Sequence, residues 1–155
     1  MLRTLVTTAA LALAVASPAF AAGDVVVKES RLSVKETIDR LAAALDQKGI
    51  KVVARVDHAA GAKSAGMELP PTELLIFGNP KLGTPLIKAA PTAGLDLPMK
   101  VLAWQTADGK VKVAYTAPGA LVTRHAVNGA DAVVAEMAKA LDTLTNAATG
   151  AAPAP

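Results

Sequence analysis

Between Ser33 and Asp57 the hydrophobic period of the chain changes, and that change constrains the fold more than any single residue does. Val34, Ile38, Leu41 and Leu45 recur at helical spacing, the inward stripe of an amphipathic helix. Ser33 and Glu36 have the spacing of a capping box at its start, and Gly49 is placed to end it. Glu36 lies four residues before Arg40, which makes the outer face of this helix a solvated one. From Ile50 the pattern alternates instead. Ile50, Val52, Ala54 and Val56 are expected on the core side of a strand, with Lys51, Val53, Arg55 and Asp57 on the other.

The remaining segments extend this pairing of helix and sheet. The β-branched run Val25, Val26 and Val27 suits a first strand. Residues 59–66 are small and predict a flexible stretch or a short helix, and Pro70 and Pro71 punctuate before a strand over 72–77. That strand is apolar on both faces and is expected at the centre of a sheet. Runs over 99–105 and 110–115 flank Asp108 and Gly109, a strong hairpin signal. A last helix is expected to start at an Asn128 cap, with Asp131 three residues on and Val134, Met137, Leu141 and Leu144 on one stripe. The order predicts an α+β fold: a mostly antiparallel curved sheet with helices on one face, the other face open for a ligand or a second copy.

Arg3, the apolar run 5–16 and the triplet Ala19, Phe20, Ala21 follow the order of a secretory signal peptide. The expected organisation is therefore a signal peptide over 1–21, a single domain over 22–147 and a disordered Ala/Pro tail over 148–155. An exported, periplasmic chain without a stable membrane anchor is expected. With Arg3 set aside, 15 basic residues face 13 acidic ones, a balance that selects no polyanionic partner. One Trp, one Tyr and two Phe offer few rings on which bases could stack, so no nucleic acid is expected as a partner. The absence of cysteine excludes disulfides, thiol catalysis and zinc-thiolate or iron–sulfur sites.

The nucleophile-elbow, phosphate-loop, dinucleotide and zinc-protease motifs are all absent. A serine nucleophile would have to be Ser64, near His58 in sequence. His58 and His125, together with a carboxylate, Met67 or Met99, are the residues from which a metal or haem site could be built. The plainer role for His58 is a strand-end side chain oriented by Asp57. Asn79 before Pro80, and Thr84 before Pro85, each read as a cap followed by a helix-starting proline. If the caps leave them free, the amides of Lys81 and Leu82 beside the Lys81 ammonium could hold an anionic group. Asp96, between Leu95 and Leu97, is either a local cap or a buried base. Trp104 and Tyr115 fall on the two strands of the hairpin, in the core or within reach of a pocket.

These residues carry a resemblance. The run 75–81 (Leu-Ile-Phe-Gly-Asn-Pro-Lys), Gly83 to Pro85, the run 94–98 (Gly-Leu-Asp-Leu-Pro) and the hairpin with Trp104, Asp108, Gly109 and Tyr115 resemble the prokaryotic family known as domain of unknown function 302. Asp57 and His58 fall where that family tends to carry an acidic-histidine pair. The resemblance implies a β-α-β4-α domain of the TATA-binding-protein-like class, often a homodimer, with no activity to carry over and no DNA binding by fold alone. The expected function is a non-catalytic module that binds or senses a small anionic or apolar ligand, a metal or haem. Its candidate ligand residues are His58, Asn79, Lys81, Thr84, Asp96, Trp104 and Tyr115. The alternatives are a cofactor-free enzyme with His58 or Asp96 as general base, and a structural dimer that serves a periplasmic partner.

Overall fold

The computed structural model describes residues 24–150, so the expected signal peptide and the end of the expected tail lie outside the described residues. The elements run β1 (Val25–Ser30), α1 (Val34–Gln47), β2 (Lys51–Asp57), α2 (His58–Ser64), β3 (Thr72–Gly78), α3 (Pro80–Ala89), a 3-10 turn (Pro91–Leu95), β4 (Met99–Gln105), β5 (Val111–Thr116), α4 (Pro118–His125) and α5 (Asp131–Thr149). Five antiparallel strands form one sheet in the order β1-β5-β4-β3-β2. Strands β2 to β5 follow one another as a meander, and β1 closes the far edge beside β5. Helix α1 therefore has to cross the sheet to connect β1 with β2. It packs against α5, so both long helices cover the same face.

The capping box at Ser33 is present, and Gly49 takes the left-handed conformation that ends α1. Val34, Ile38, Leu41 and Leu45 are buried against Leu75, Phe77, Val101, Ala103 and Val113 of the sheet and Met137, Leu141 and Leu144 of α5. The hairpin turns at Gly109, with Gly109 N donating to Thr106 O at 2.9 Å and Thr106 N to Lys110 O at 2.8 Å.

Five expectations need correction. Strand β3 is interior but lies next to the edge strand β2, and β4 holds the centre. A bulge between Val52 and Ala54 inverts the alternation of β2. Beyond it, Arg55 pairs with Leu75 and Asp57 with Glu73 on the helix side, while Ala54 and Val56 turn to the open face. The last helix starts at Asp131 and not at Asn128, whose side chain donates instead to Ala126 O at 3.1 Å in a turn where Ala126 is left-handed. Residues 118–125 form α4, which the sequence reading did not contain. Finally, α5 continues to Thr149, because Ala148 and Thr149 are buried and Arg31 N donates to Thr149 O at 3.0 Å. The docking of that carbonyl on the β1–α1 junction holds the last turn in place.

Among the described residues no helix covers the second face of the sheet. Val25 and Val27 on β1 are more than half exposed, and Val56, Leu74, Ile76, Leu102, Trp104 and Ala114 lie exposed or half-buried across the other strands.

Candidate functional site

A cavity of about 370 Å³ opens where the adjoining ends of β2, β3 and β4 meet α3 and α5. Phe77 and Met99 form its floor, Leu82 and Leu97 its sides, and Met137, Leu141 and Leu144 its wall on α5. Asn79, Thr84 and Lys51 are the polar side chains of its lining, and Lys51 its one charged residue.

The local sequence builds this opening. Asn79 caps α3, its Oδ1 accepting from Lys81 N at 3.0 Å, and Pro80 occupies the first helical position. The amides of Leu82 and Gly83 both donate to Asn79 O, at 2.9 and 3.0 Å. The cap thus consumes the donors that an anion would need, so the condition on which Lys81 and Leu82 could have held an anion is not met. Lys81 is exposed and does not line the cavity. Thr84 is no second cap either, because α3 runs on through Pro85. A proline six residues into a helix forfeits one backbone bond, and the chain accepts that loss in a helix of ten residues. Gly83 of α3 is one of the residues that line the cavity. A Cβ there would sit 3.7 Å from Leu97 Cδ1, in ordinary contact.

Asp96 has a different set of neighbours from those expected. It accepts from Arg124 Nη1 at 2.7 Å and lies 2.8 Å from His125 Nε2, while the other ring nitrogen of His125 is 3.2 Å from Thr92 Oγ1. The His125 side chain is only 7% exposed and that of Asp96 27%. Burial works against the charge of Asp96, but the His125 and Arg124 hydrogen bonds outweigh it and hold the carboxyl below the ordinary range. A carboxylate stabilised in this way is a weak base. Its role here is to tie α4 to the turn that leads through Leu97 and Pro98 into the cavity wall, with Lys100 Nζ donating to Asp96 O at 3.0 Å and Pro98 O at 3.1 Å.

The lowered pKa of Asp96 fixes the sign of a pH dependence. The stabilisation is complete above the ordinary carboxylate range, near pH 4, and is lost as pH falls through the depressed native value. Asp96→Asn is expected to cost about 1–2 kcal/mol at neutral pH, the worth of hydrogen bonds to a charged group. It should also remove part of the acid sensitivity, as read from urea midpoints between pH 6 and pH 2.5.

The other expected site residues are scattered. His58 is exposed at the start of α2, and Asp57 caps that helix through Ala60 N at 2.8 Å rather than orienting the imidazole. Both nitrogens of His125 are engaged by Asp96 and Thr92. Among the described residues no group of three or more His, Cys, Asp or Glu side chains could hold a metal ion. Ser64 Oγ donates to Gly61 O at 2.7 Å and has no histidine partner.

Trp104 and Tyr115 lie on opposite faces of the sheet. Trp104 pairs with Lys112 and Thr72 on the bare face, while Tyr115 is buried under the helices. Burial pushes the Tyr115 phenol up and the Asp142 carboxylate adds to this, with Thr145 opposing. Lys28 lies 5.9 Å from the centre of the Tyr115 ring. Its Nζ donates to Asp142 Oδ1, Thr145 Oγ1 and Asn146 Oδ1 at 2.7, 2.8 and 2.6 Å, fastening β1 to α5.

The cavity therefore keeps two of the seven expected ligand residues, Asn79 and Thr84, and adds Lys51 and the apolar side chains around it. Those apolar residues carry no motif. Arg124 and Thr92, the other partners around Asp96, were also missed. The Pro118 start and the Arg124 and His125 pair at the end of α4 were the available signals.

Fold and family agree. Residues 26–144 match the family described as "Domain of unknown function DUF302", to which the chain belongs. A solved protein described as an uncharacterized conserved protein DUF302 from Bacillus stearothermophilus is similar, with a TM-score of 0.72 and 22% sequence identity. The match covers 80% of this chain and 97% of that one, and at this identity it speaks to the fold alone. Among curated proteins, "Fluoride-specific ion channel FluC 1" of Brucella suis biovar 1 is 48% identical over 126 residues, which are 81% of this chain and 50% of that protein. "Fluoride-specific ion channel FluC 2" of Brucella melitensis biotype 1 shows the same identity over 47% of its length. The chain spans about half the length of the curated relatives it matches.

Proposed function

We propose that this domain is a non-catalytic binding module whose site is the apolar cavity between α3 and α5. The cavity itself carries this reading: a space of about 370 Å³ with an almost wholly apolar lining is the form that small-molecule sites take. No acid–base pair lines it, and Asp96, the carboxylate nearest to its wall in sequence, is committed to Arg124 and His125. The enzyme alternative thus lacks a poised base at the place where a substrate would bind.

The name of the curated relatives does not conflict with this reading. No described helix of this chain is long and apolar enough to cross a membrane. In this reading a channel function of those proteins belongs to the half that this chain does not match, and the matched half is an accessory domain beside it. Placement in the periplasm rests on the leader-like residues 1–21.

The test is thermal unfolding of the full chain with a panel of apolar molecules that fit the cavity. A ligand at about a hundred times its Kd should add about 2.7 kcal/mol to stability. If melting temperatures stay flat across the whole panel, the binding reading fails.

A second reading, a structural homodimer, is favoured by the bare sheet face. Two such faces stacked about 10 Å apart would remove Val25, Val27, Leu74 and Leu102 from water. Sedimentation should then show a dimer that Val27→Lys converts to a monomer. A wild-type monomer at high concentration would discard it.

A further inference from the structure

The charge and shape of the same cavity say more about its ligand. Its lining contains one cation, Lys51, and no acidic residue. Lys51 is exposed, and among the described residues its ammonium forms no ion pair. Asn79 spends its Oδ1 on the helix cap, which leaves the side-chain amide N–H groups as donors, and Thr84 is an exposed residue of the same lining. Behind these groups the walls are Phe77, Leu97, Met137, Leu141 and Leu144. Lys51 pairs across the sheet with Gly78, the neighbour of Asn79, so the cation and the amide lie at adjoining strand ends of a lining that is otherwise almost wholly apolar.

We infer that the cavity takes a single-chain amphiphile, with an acyl or alkyl tail against α5 and an anionic head group at Lys51, Asn79 and Thr84. This rests on the reading of the cavity as the binding site. Its size agrees: at about 30 Å³ for a water-sized group, the 370 Å³ accommodate on the order of ten methylene-sized groups. The charge agrees as well, because a neutral head group would gain at most a hydrogen bond from the unpaired lysine, whereas a carboxylate or phosphate would gain the charge attraction too. A free fatty acid and a single-chain phospholipid share this chemistry.

The experiment is calorimetric titration of the full chain, below micelle-forming concentrations, with decanoate, decyl phosphate and decan-1-ol. The same titrations are run on Lys51→Gln and on Gly83→Leu. The second variant adds a side chain at a lining position whose Cβ would lie 3.7 Å from Leu97 Cδ1, and replacing a helical glycine does not weaken the helix. Circular dichroism checks that both variants are folded.

Decanoate and decyl phosphate are expected to bind at least five-fold more tightly than decanol, and the stronger of the two anions names the head group. Lys51→Gln should lower the affinity for both anions about two- to five-fold, the worth of an exposed charge pair, and leave that for decanol unchanged, and Gly83→Leu should abolish binding of all three. Equal affinity for the alcohol and the anions would overturn the head-group inference while leaving the apolar site intact. Binding that survives Gly83→Leu would place the ligand elsewhere and overturn the site as well. If none of the three binds, the amphiphile inference is overturned, and the wider apolar panel decides whether the site reading falls with it.

Discussion

Arg55→Ala is expected to lower stability by about 2–3 kcal/mol, and the reason lies in the bulge of β2. By alternation alone Arg55 would face away from the helices. The bulge between Val52 and Ala54 turns it inward, opposite Leu75 and beneath α1. There its Nε and Nη2 grip both oxygens of Glu73, the latter at 3.0 Å, and its Nη1 donates to Asp39 Oδ1 of α1 at 2.5 Å. The two carboxylates raise the pKa of the guanidinium still further, Glu73 first.

Glu73 is the vulnerable partner. Its side chain is 12% exposed on a core-facing position of β3, and removal of Arg55 leaves that charge under the helix without compensation. Truncating one member of a fully buried pair costs about 3–5 kcal/mol. Arg55 is 35% exposed, so water relieves part of the loss and the lower figure applies. Arg55→Lys should recover only part of the effect, since an ammonium cannot make the paired contact. The double variant Arg55→Leu with Glu73→Leu should be closer to wild type than Arg55→Ala, because no orphaned charge remains. Urea midpoints of these proteins and of the singles Arg55→Leu and Glu73→Leu measure this. A double variant as unstable as the sum of its singles would show that the two side chains are not coupled.

That bulge also marks the boundary of what the sequence discloses. Period and turn chemistry are local, and they yielded the α1 stripe with its Ser33 cap, the Gly109 hairpin and the number of strands. A bulge has no such local mark: Val52, Val53 and Ala54 all suit a strand, and only pairing with Phe77 and Ile76 decides which of them is the extra residue. Asn128 misled for a related reason. It has the chemistry of a cap, but the left-handed turn at Ala126 uses its side chain first, and Asp131 opens the helix instead. Pro85 did the same, because a proline flanked by threonine reads as a start although tertiary contacts carry α3 through it.

The site was legible where polar residues touch the cavity and illegible where its walls are apolar. Asn79 and Thr84 stood out because of their proline neighbours. Met137 and Leu141 looked like any other inward positions of a helix, since nothing in their spacing says that one side of α5 meets an empty volume. Asp96 stood out as well, but its partners are 28 and 29 residues away on a helix that no strong periodic signal announces.

Leu141→Ala links the energetics of the core to the chemistry of the cavity. Leu141 is 3% exposed and touches both, as a member of the main core and as part of the cavity wall. Truncation of a buried leucine costs about 2–5 kcal/mol, more where the space cannot collapse. Here the vacated volume joins an existing opening of about 370 Å³, and relaxation from one side only is available. A loss of about 2–3 kcal/mol is expected for the empty protein.

Leu41→Ala should cost at least as much, since Leu41 is 1% exposed, belongs to the same core and does not line the cavity. The two variants separate when ligand is added. A longer alkyl anion such as dodecanoate should fill the space vacated in Leu141→Ala, bind it more tightly than it binds wild type, and return up to about 2.7 kcal/mol at a hundredfold excess over Kd. The Leu41→Ala protein should show the wild-type preference between decanoate and dodecanoate, because its new void lies inside the core. Thermal melts with and without each ligand distinguish these outcomes. Equal chain-length preference in both variants would mean that Leu141 does not face the ligand and that the tail lies elsewhere.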